Sequence, residues 1–329
     1  MTLRRCVVLG GAGFIGAHMV KRLKAEGHWV RAVDRHLPPF AKSPADEFLL
    51  RDLCQEQDVY QALTGSPDTV YQFATAMGGA GYIFTGRHDA EVMHTAAQIN
   101  LHVARIAVAM HVGRVFFPSS ACIYPQQNQE SADFPDCRED TAYPANPDSE
   151  YGWEKLFSER MYLAHQRNVG LNVTIARFHS IVGPEGTWRG GKEKVFAALC
   201  RKIAEAPNGS HIRMWGDGEQ TRTFLYVDEC LEGIERLIAA GAAGPVNLGS
   251  TEMVSINALA EKIMACAGKR LEIVHEFGPL GVRGRTSDHS LLKVLTNGWA
   301  PTGTVDEAVQ KTYPWVEQQV LAAARESRR

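Results

Sequence analysis

The chain has 329 residues, 45% of them hydrophobic and 22% charged, with a formal net charge of -2. That length suits two domains with buried cores, and the near-neutral balance excludes a general attraction to nucleic acid or to an anionic membrane. No stretch approaches the ~20 apolar residues of a membrane span, and the seven cysteines, odd in number and nowhere spaced C-x-x-C, exclude a disulfide framework or zinc site.

Reduced thiols in a cytoplasm are the expectation that follows. The apolar run after Arg4 and Arg5 breaks at Gly10, too soon for the apolar core of a signal peptide. "RCVVLG" then reads as a buried strand, "FIGAHMVKRLKAEG" as a helix stopped by Gly27, and "WVRAVD" as a second strand. Between strand and helix stands Gly11-x-Gly13-x-x-Gly16. Glycines there let backbone N–H groups approach a pyrophosphate at the positive end of a helix, which points to a dinucleotide. Gly10, Phe14 and Ile15, in the same turn, are expected at the cofactor too. Asp34 ends the second strand, where a carboxylate accepts from the adenosine ribose and repels a 2′-phosphate, so NAD is favoured over NADP. Arg35 tempers that preference. Asp52, in "LLRDLC", is expected on the adenine side.

Further short apolar runs, "TVYQFAT", "RVFFPSS" and "LNVTIAR", alternate with helical segments such as "AAQINLHVARIAVAMH". Strands separated by helices predict a parallel sheet covered on both faces, a doubly wound α/β fold. After about residue 180 glycine-rich loops punctuate shorter elements. The expected division is therefore a dinucleotide domain over 1–180 and a smaller α/β substrate domain over 181–329, with some late segments returning to the first.

"RVFFPSS" runs into "ACIYP", and "SEYGWEKLFSERMYLAH" follows with a helical period. Tyr151 and Lys155, four apart, share one helix face. A tyrosine is a poor base at neutral pH, with a reference pKa of about 10. A nearby ammonium and a positive nicotinamide ring favour its phenolate. Ser120 can bond the same substrate hydroxyl. If the strand continues, Cys122 faces the same space as Ser120. A thiol titrates closer to neutrality than any hydroxyl, so Cys122 is read as a proton-transfer group. Cys6, Cys200 and Cys266 are read instead as small core hydrophobes.

The glycine-rich start, "SSACIYP", "YGWEK", "VDECLEGI" and "NLGS" together resemble the extended short-chain dehydrogenase/reductase family of nucleotide-sugar epimerases and dehydratases. The resemblance implies transient oxidation of a sugar at C4 by NAD, with the hydride later returned, so the cofactor is expected to stay bound and be recycled. It also implies a homodimer built on helices near 91–111 and 151–168. The family's 4,6-dehydratases carry an Asp-Glu pair where this chain has Ala121 and Cys122, which argues against dehydration.

Inverting a carbon needs proton removal on one face of the ring and delivery on the other. The loop "GTWRGGKEKVF" offers Lys192, Glu193 and Lys194 as partners for Cys122, of which Lys192 is read as solvated. "MGGAGYI", "GTWRGGKEK", "MWGDGEQTRTF" and "GVRGRTSD" are similar to the branch of the family that epimerises GDP-mannose or a close relative at C3 and C5. That likeness implies Lys194 as the partner of Cys122, and Glu193, Lys202, Gln220, Arg222 and Arg283 around the GDP-sugar. Planar guanidinium forks suit a diphosphate. Gly79, with Gly78 and Gly81, is expected to let backbone approach the sugar. Ser180 stands where the branch carries asparagine, and opens the choice of hexose. A plain 4-epimerase, a keto-sugar reductase and a non-catalytic NAD-sensing regulator are the alternatives.

Overall fold

The computed structural model describes residues 3–279 and 281–327. The first part of the chain runs β1 (Arg5–Leu9), α1 (Phe14–Ala25), β2 (Trp29–Asp34), β3 (Glu47–Leu50), α2 (Glu56–Ala62) and β4 (Thr69–Gln72). It continues through the short α3 (Ala80–Ile83), α4 (Asp89–Ala109), β5 (Val115–Ser120), α5 (Glu150–Val169) and β6 (Val173–Phe178). Then come β7 (Ile181–Val182), α6 (Val195–Glu205), β8 (His211–Trp215), β9 (Thr221–Thr223), β10 (Leu225–Tyr226) and α7 (Val227–Ala239). The last elements are β11 (Val246–Leu248), β12 (Met253–Ser255), α8 (Ile256–Ala267), β13 (Glu272–Glu276), α9 (Ser290–Leu295) and α10 (Val305–Glu326).

Seven strands form one parallel sheet in the order β11-β6-β5-β4-β1-β2-β3. The period of two along β1 decides which residue faces which layer. Cys6 and Val8 pack with Met19, Leu23, Leu231 and Ile234 beneath α1 and α7. Val7 and Leu9 pack with Val103, Ile106 and Tyr162 beneath α4 and α5. Both faces of the sheet are dry, which is why its strands read as continuous apolar runs. The strand order reverses between β1 and β4, and that switch point opens a crevice beyond their carboxyl ends.

Residues after 180 do not stay in one lobe. Helices α6, α8 and α10 build a separate core around Phe196, Leu199, Leu259, Ile263, Val309 and Tyr313. In contrast, β11 pairs in register with β6, and α7 covers the first sheet. The Cys6 and Cys200 thiols are buried as expected of core residues, whereas Cys266 is exposed near the end of α8. No helix among the described residues is long and apolar enough to cross a membrane.

Candidate active site

After β1, Gly10 turns the chain with φ +78, a conformation that a side chain resists. The N–H groups of Gly10 and Gly11 donate to the Val33 carbonyl at 2.8 and 3.1 Å, tying the turn to β2. A Cβ on Gly16 would lie 2.1 Å from the Gly10 oxygen, so only glycine lets α1 start this close to the turn. Gly10, Gly13, Phe14, Ile15 and Gly16 line a groove of about 310 Å³. Gly11 serves packing instead, because a Cβ there would meet Ala32 at 2.8 Å. The N-terminus of α1 has neither a side-chain cap nor an acidic residue in its first turn, which leaves its N–H groups for an anion. Asp34 accepts from the Ala12 N–H at 3.0 Å and from the His36 N–H at 3.1 Å. With Arg35 and Asp52 it lines a depression that continues the groove past Gly10 and Thr75. Thr75 Oγ1 and Ser119 Oγ lie on these walls, buried and without a protein partner. Buried hydroxyls normally have one, so these residues fit a polar ligand such as a dinucleotide.

At the far end of the groove β5 delivers Ser119 and Ser120. The strand stops there, and Ala121–Ile123 form a 3₁₀ turn capped by Ser120, whose Oγ accepts the Cys122 N–H at 3.1 Å. Strand alternation therefore does not place Cys122. The capped turn does, and it still brings Ser120 and Cys122 to one cavity. Helix α5 begins at the Ser149 cap. Its Gly152 abuts the turn, since a Cβ there would lie 2.2 Å from the Cys122 carbonyl oxygen. That contact sets Tyr151 beside Ser120 and Cys122. Lys155 donates to the Pro118 carbonyl at 3.2 Å and lies 5.7 Å from the Tyr151 ring centre. Burial pushes the Tyr151 phenol well above its ordinary range, reinforced by Cys122 and Glu154, while a hydrogen bond to Ser120 and the Arg285 charge pull it down. Burial also lowers Lys155, against the opposing pull of Glu154 and Glu159. Within the protein alone, desolvation is the largest influence on Tyr151 and acts against its phenolate.

A second cavity of about 440 Å³ opens from the first and shares Ser120, Tyr151, Ser180 and Lys194 with it. Its walls also carry Gly79, Cys122, Glu193, Lys202, Gln220 and Arg222. Lys194 stands directly before α6, and burial of its ammonium lowers its pKa, while Cys122 opposes that change. Lys194 as a residue is nonetheless exposed, and it lines both cavities. Gly79 approaches protein rather than only the cavity: a Cβ there would lie 2.1 Å from the Glu193 carbonyl oxygen. This close contact seats the Lys194 loop over the glycine loop. Glu193 pairs with Arg201 at 3.1 Å, and Lys202 donates to the Arg213 carbonyl at 2.6 Å. Gln220 is buried with its Oε1 unpartnered. Arg222 donates to the carbonyls of Thr221 and Val282, and burial pushes its pKa down to about 10.

Arg283 does not share this cavity. It pairs with Asp217 at 2.8 Å near the surface, while Arg285, two residues on, lines the cavity and donates to Cys122 Sγ at 3.1 Å. Sequence reasoning missed Arg285, along with Arg201, Trp215 and Gly152. The string "GVRGR" offered two arginines, and only their tertiary partners separate them.

A nucleotide groove at the switch point of a parallel sheet, joined to a second cavity through a serine, a tyrosine and a lysine, defines a dinucleotide-dependent enzyme acting on a second, polar substrate. Residues 6–249 match the model of the NAD dependent epimerase/dehydratase family, and the chain belongs to that family. It is 40% identical to GDP-mannose 3,5-epimerase 1 of Oryza sativa subsp. indica over 96% of this chain and 82% of that protein. It is likewise 40% identical to GDP-mannose 3,5-epimerase of Arabidopsis thaliana over 95% of this chain and 82% of that protein. Among solved structures, UDP-glucose 4-epimerase of Thermotoga maritima superposes with a TM-score of 0.83 at 23% identity, covering 96% of this chain and 99% of that one. The family uses NAD, and the fold is that of its epimerases.

Proposed function

We propose that this chain is an isomerase that inverts C3 and C5 of GDP-mannose or a close relative, with NAD held and recycled in the groove. The observation that carries the reading is the shared mouth of the two cavities. Ser120, Tyr151 and Lys194 line both cavities, and Cys122 joins them on the wall of the second, supplying the thiol and amine that ring inversion requires. Similarity to the rice and Arabidopsis enzymes over nearly the whole chain supports the substrate.

In this reading Gly10, Gly13, Phe14, Ile15, Gly16 and Asp34 hold the dinucleotide, with Asp52 toward its adenine. NAD, when bound, supplies reversible hydride acceptance at C4 and a positive ring that offsets the upward push on Tyr151. Tyr151 takes the proton of the C4 hydroxyl while Ser120 bonds the same oxygen and Lys155 steadies the phenolate. The resulting C4 ketone acidifies the protons on C3 and C5, because an enolate spreads the charge. Cys122 and Lys194 then remove and return protons on opposite faces of the ring. Burial lowers the pKa of Lys194, the direction that favours the amine such exchange needs. Lys202, Gln220 and Arg222, on the walls of the second cavity, bind the GDP-sugar. Ser180, at the junction of both cavities, bears on which hexose is accepted.

A homodimer is part of this reading. Helices α4 and α5 lie side by side and expose Leu101, Trp153 and Phe157 to solvent. A cytoplasmic setting agrees with the unpaired thiols.

The test is turnover of GDP-mannose in D2O without added NAD, followed by NMR of the ring protons. Deuterium at C3 and C5 is the expected result, and inversion only at C4 without solvent label sinks the reading. A Cys122→Ala variant should keep C4 oxidation and lose label uptake at least ~100-fold, the usual scale of one acid–base group.

A further inference from the structure

One wall of the second cavity carries buried charge that the proposed proton exchange leaves unused. Arg285 follows β13 in the chain, and each of its three guanidinium nitrogens meets a different segment. Nε donates to Gln129 Oε1 at 2.6 Å, one terminal nitrogen to Asp148 Oδ2 at 2.9 Å, and the other to Cys122 Sγ at 3.1 Å. Gln129 is fully buried, and its Nε2 donates to the carbonyls of Tyr124 and Pro125, so its amide oxygen is fixed toward Arg285. The Asp148 side chain is only 4% exposed, and its Oδ1 accepts from Ser149 Oγ at 3.1 Å. Asp148 directly precedes the Ser149 cap of α5, on the same turn of chain that starts the Tyr151 helix.

The guanidinium is planar with its donors in a rigid fork, so pinning two nitrogens sets where the third points. Two buried cations, Arg285 and Arg222, act on this corner, and Asp148 is the carboxylate that acts on both. A buried arginine without its counter-charge is strongly unfavourable and turns to whatever acceptor or water it can reach.

We propose that Asp148 is a positioning residue for the proton exchange: with Gln129 it clamps Arg285 so that one N–H stays on Cys122 Sγ and keeps the sulfur aimed into the sugar cavity. The proposal rests on the reading of Cys122 as a proton-transfer group. Asp148 itself touches no reacting atom. Without it the fork is held at one nitrogen only, Arg285 leaves the sulfur, and the thiol loses both its orientation and its charged donor. Oxidation at C4 depends on Ser120, Tyr151 and Lys155 and is left in place.

The experiment uses Asp148→Ala, Asp148→Asn and Asp148→Glu in the full-length protein with three readouts. These are NADH absorbance in a single turnover of GDP-mannose, deuterium uptake at C3 and C5, and alkylation of Cys122 by iodoacetamide, followed by peptide mass spectrometry without substrate. In Asp148→Ala, label uptake and Cys122 alkylation should each fall about tenfold, the scale of one lost charged hydrogen bond. NADH formation should stay within about threefold and the exposed Cys266 should alkylate at its usual rate. Asp148→Glu should restore most of the loss. If the alanine variant does not fold, Asp148→Asn keeps an acceptor but not the charge, and should lose label uptake while keeping oxidation. Oxidation and uptake falling by one common factor overturns the proposal. So does wild-type alkylation of Cys122 in the alanine variant, or failure of the glutamate to rescue. The alkylation arm needs no turnover: a wild-type protein that never labels C3 or C5 removes the epimerase reading, while the clamp is judged on alkylation alone.

Discussion

His179, next to Ser180 in the chain, is buried. Its Nε2 is 3.0 Å from Asn247 Oδ1, and the Asn247 amide nitrogen donates to the Cys137 carbonyl. Asn247 Oδ1 is therefore an acceptor, and the imidazole is neutral with its proton on Nε2. Its Nδ1 is buried without a partner. Burial pushes its pKa down to about 3 from an ordinary 6.5. The unfolded chain thus takes up this proton first as the pH falls. The stability tied to neutral His179 is fully present above about pH 6.5 and is lost progressively toward pH 3. Urea unfolding between pH 7 and 5 should show stability falling toward acid, by at most about 1.4 kcal/mol per pH unit for this one group. His179→Gln, which can still donate to Asn247, should flatten that slope. An unchanged slope refutes the assignment. At this scale Tyr151 and Lys155 were legible from residue type and spacing and Cys122 from residue type alone, because a capped turn and not strand alternation places it, while Arg283 and Arg285 were not distinguishable. Both are arginines in one short string, and only Asp217 on one side and Gln129 with Asp148 on the other separate them.

Helix α5 and the Ala121–Ile123 turn form the element on which the site depends. The helical period of "SEYGWEK" was readable, and so was the strand before it. The strand's end was not, because Ser120 turns its own hydroxyl onto the Cys122 N–H and breaks the extended run. Gly152 gave no sequence signal beyond a residue that weakens a helix. Its reason is tertiary: any side chain there meets the Cys122 carbonyl, and backbone on both sides cannot yield as a flexible side chain would. Gly152→Ala should cost about 1–3 kcal/mol of stability, as overpacking does, and should depress label uptake by displacing Tyr151 from Cys122. Chemical denaturation together with the NMR assay reads both. Wild-type stability with wild-type uptake would show that α5 can slide without consequence.

For the whole molecule, the apolar strip on α4 and α5 bears on assembly. Trp153 and Phe157 are 40% and 48% exposed and stand four residues apart on α5, and Leu101 of α4 is exposed as well. Light scattering should find a dimer for the native chain and a monomer for Phe157→Glu, which sets charges on the strip. A dimer that survives the substitution would move the interface elsewhere. The sequence by itself determined the alternation of strands and helices, the parallel sheet and the glycine turn, because these rest on local periodicity and on backbone freedom at single positions. Tertiary structure decided which late segments rejoin the sheet, as β11 and α7 do, since pairing with β6 and covering Val8 are long-range choices. It also decided which of two arginines meets Cys122. Burial and counter-charge select that contact, and both arise only when segments distant in the chain close around one cavity.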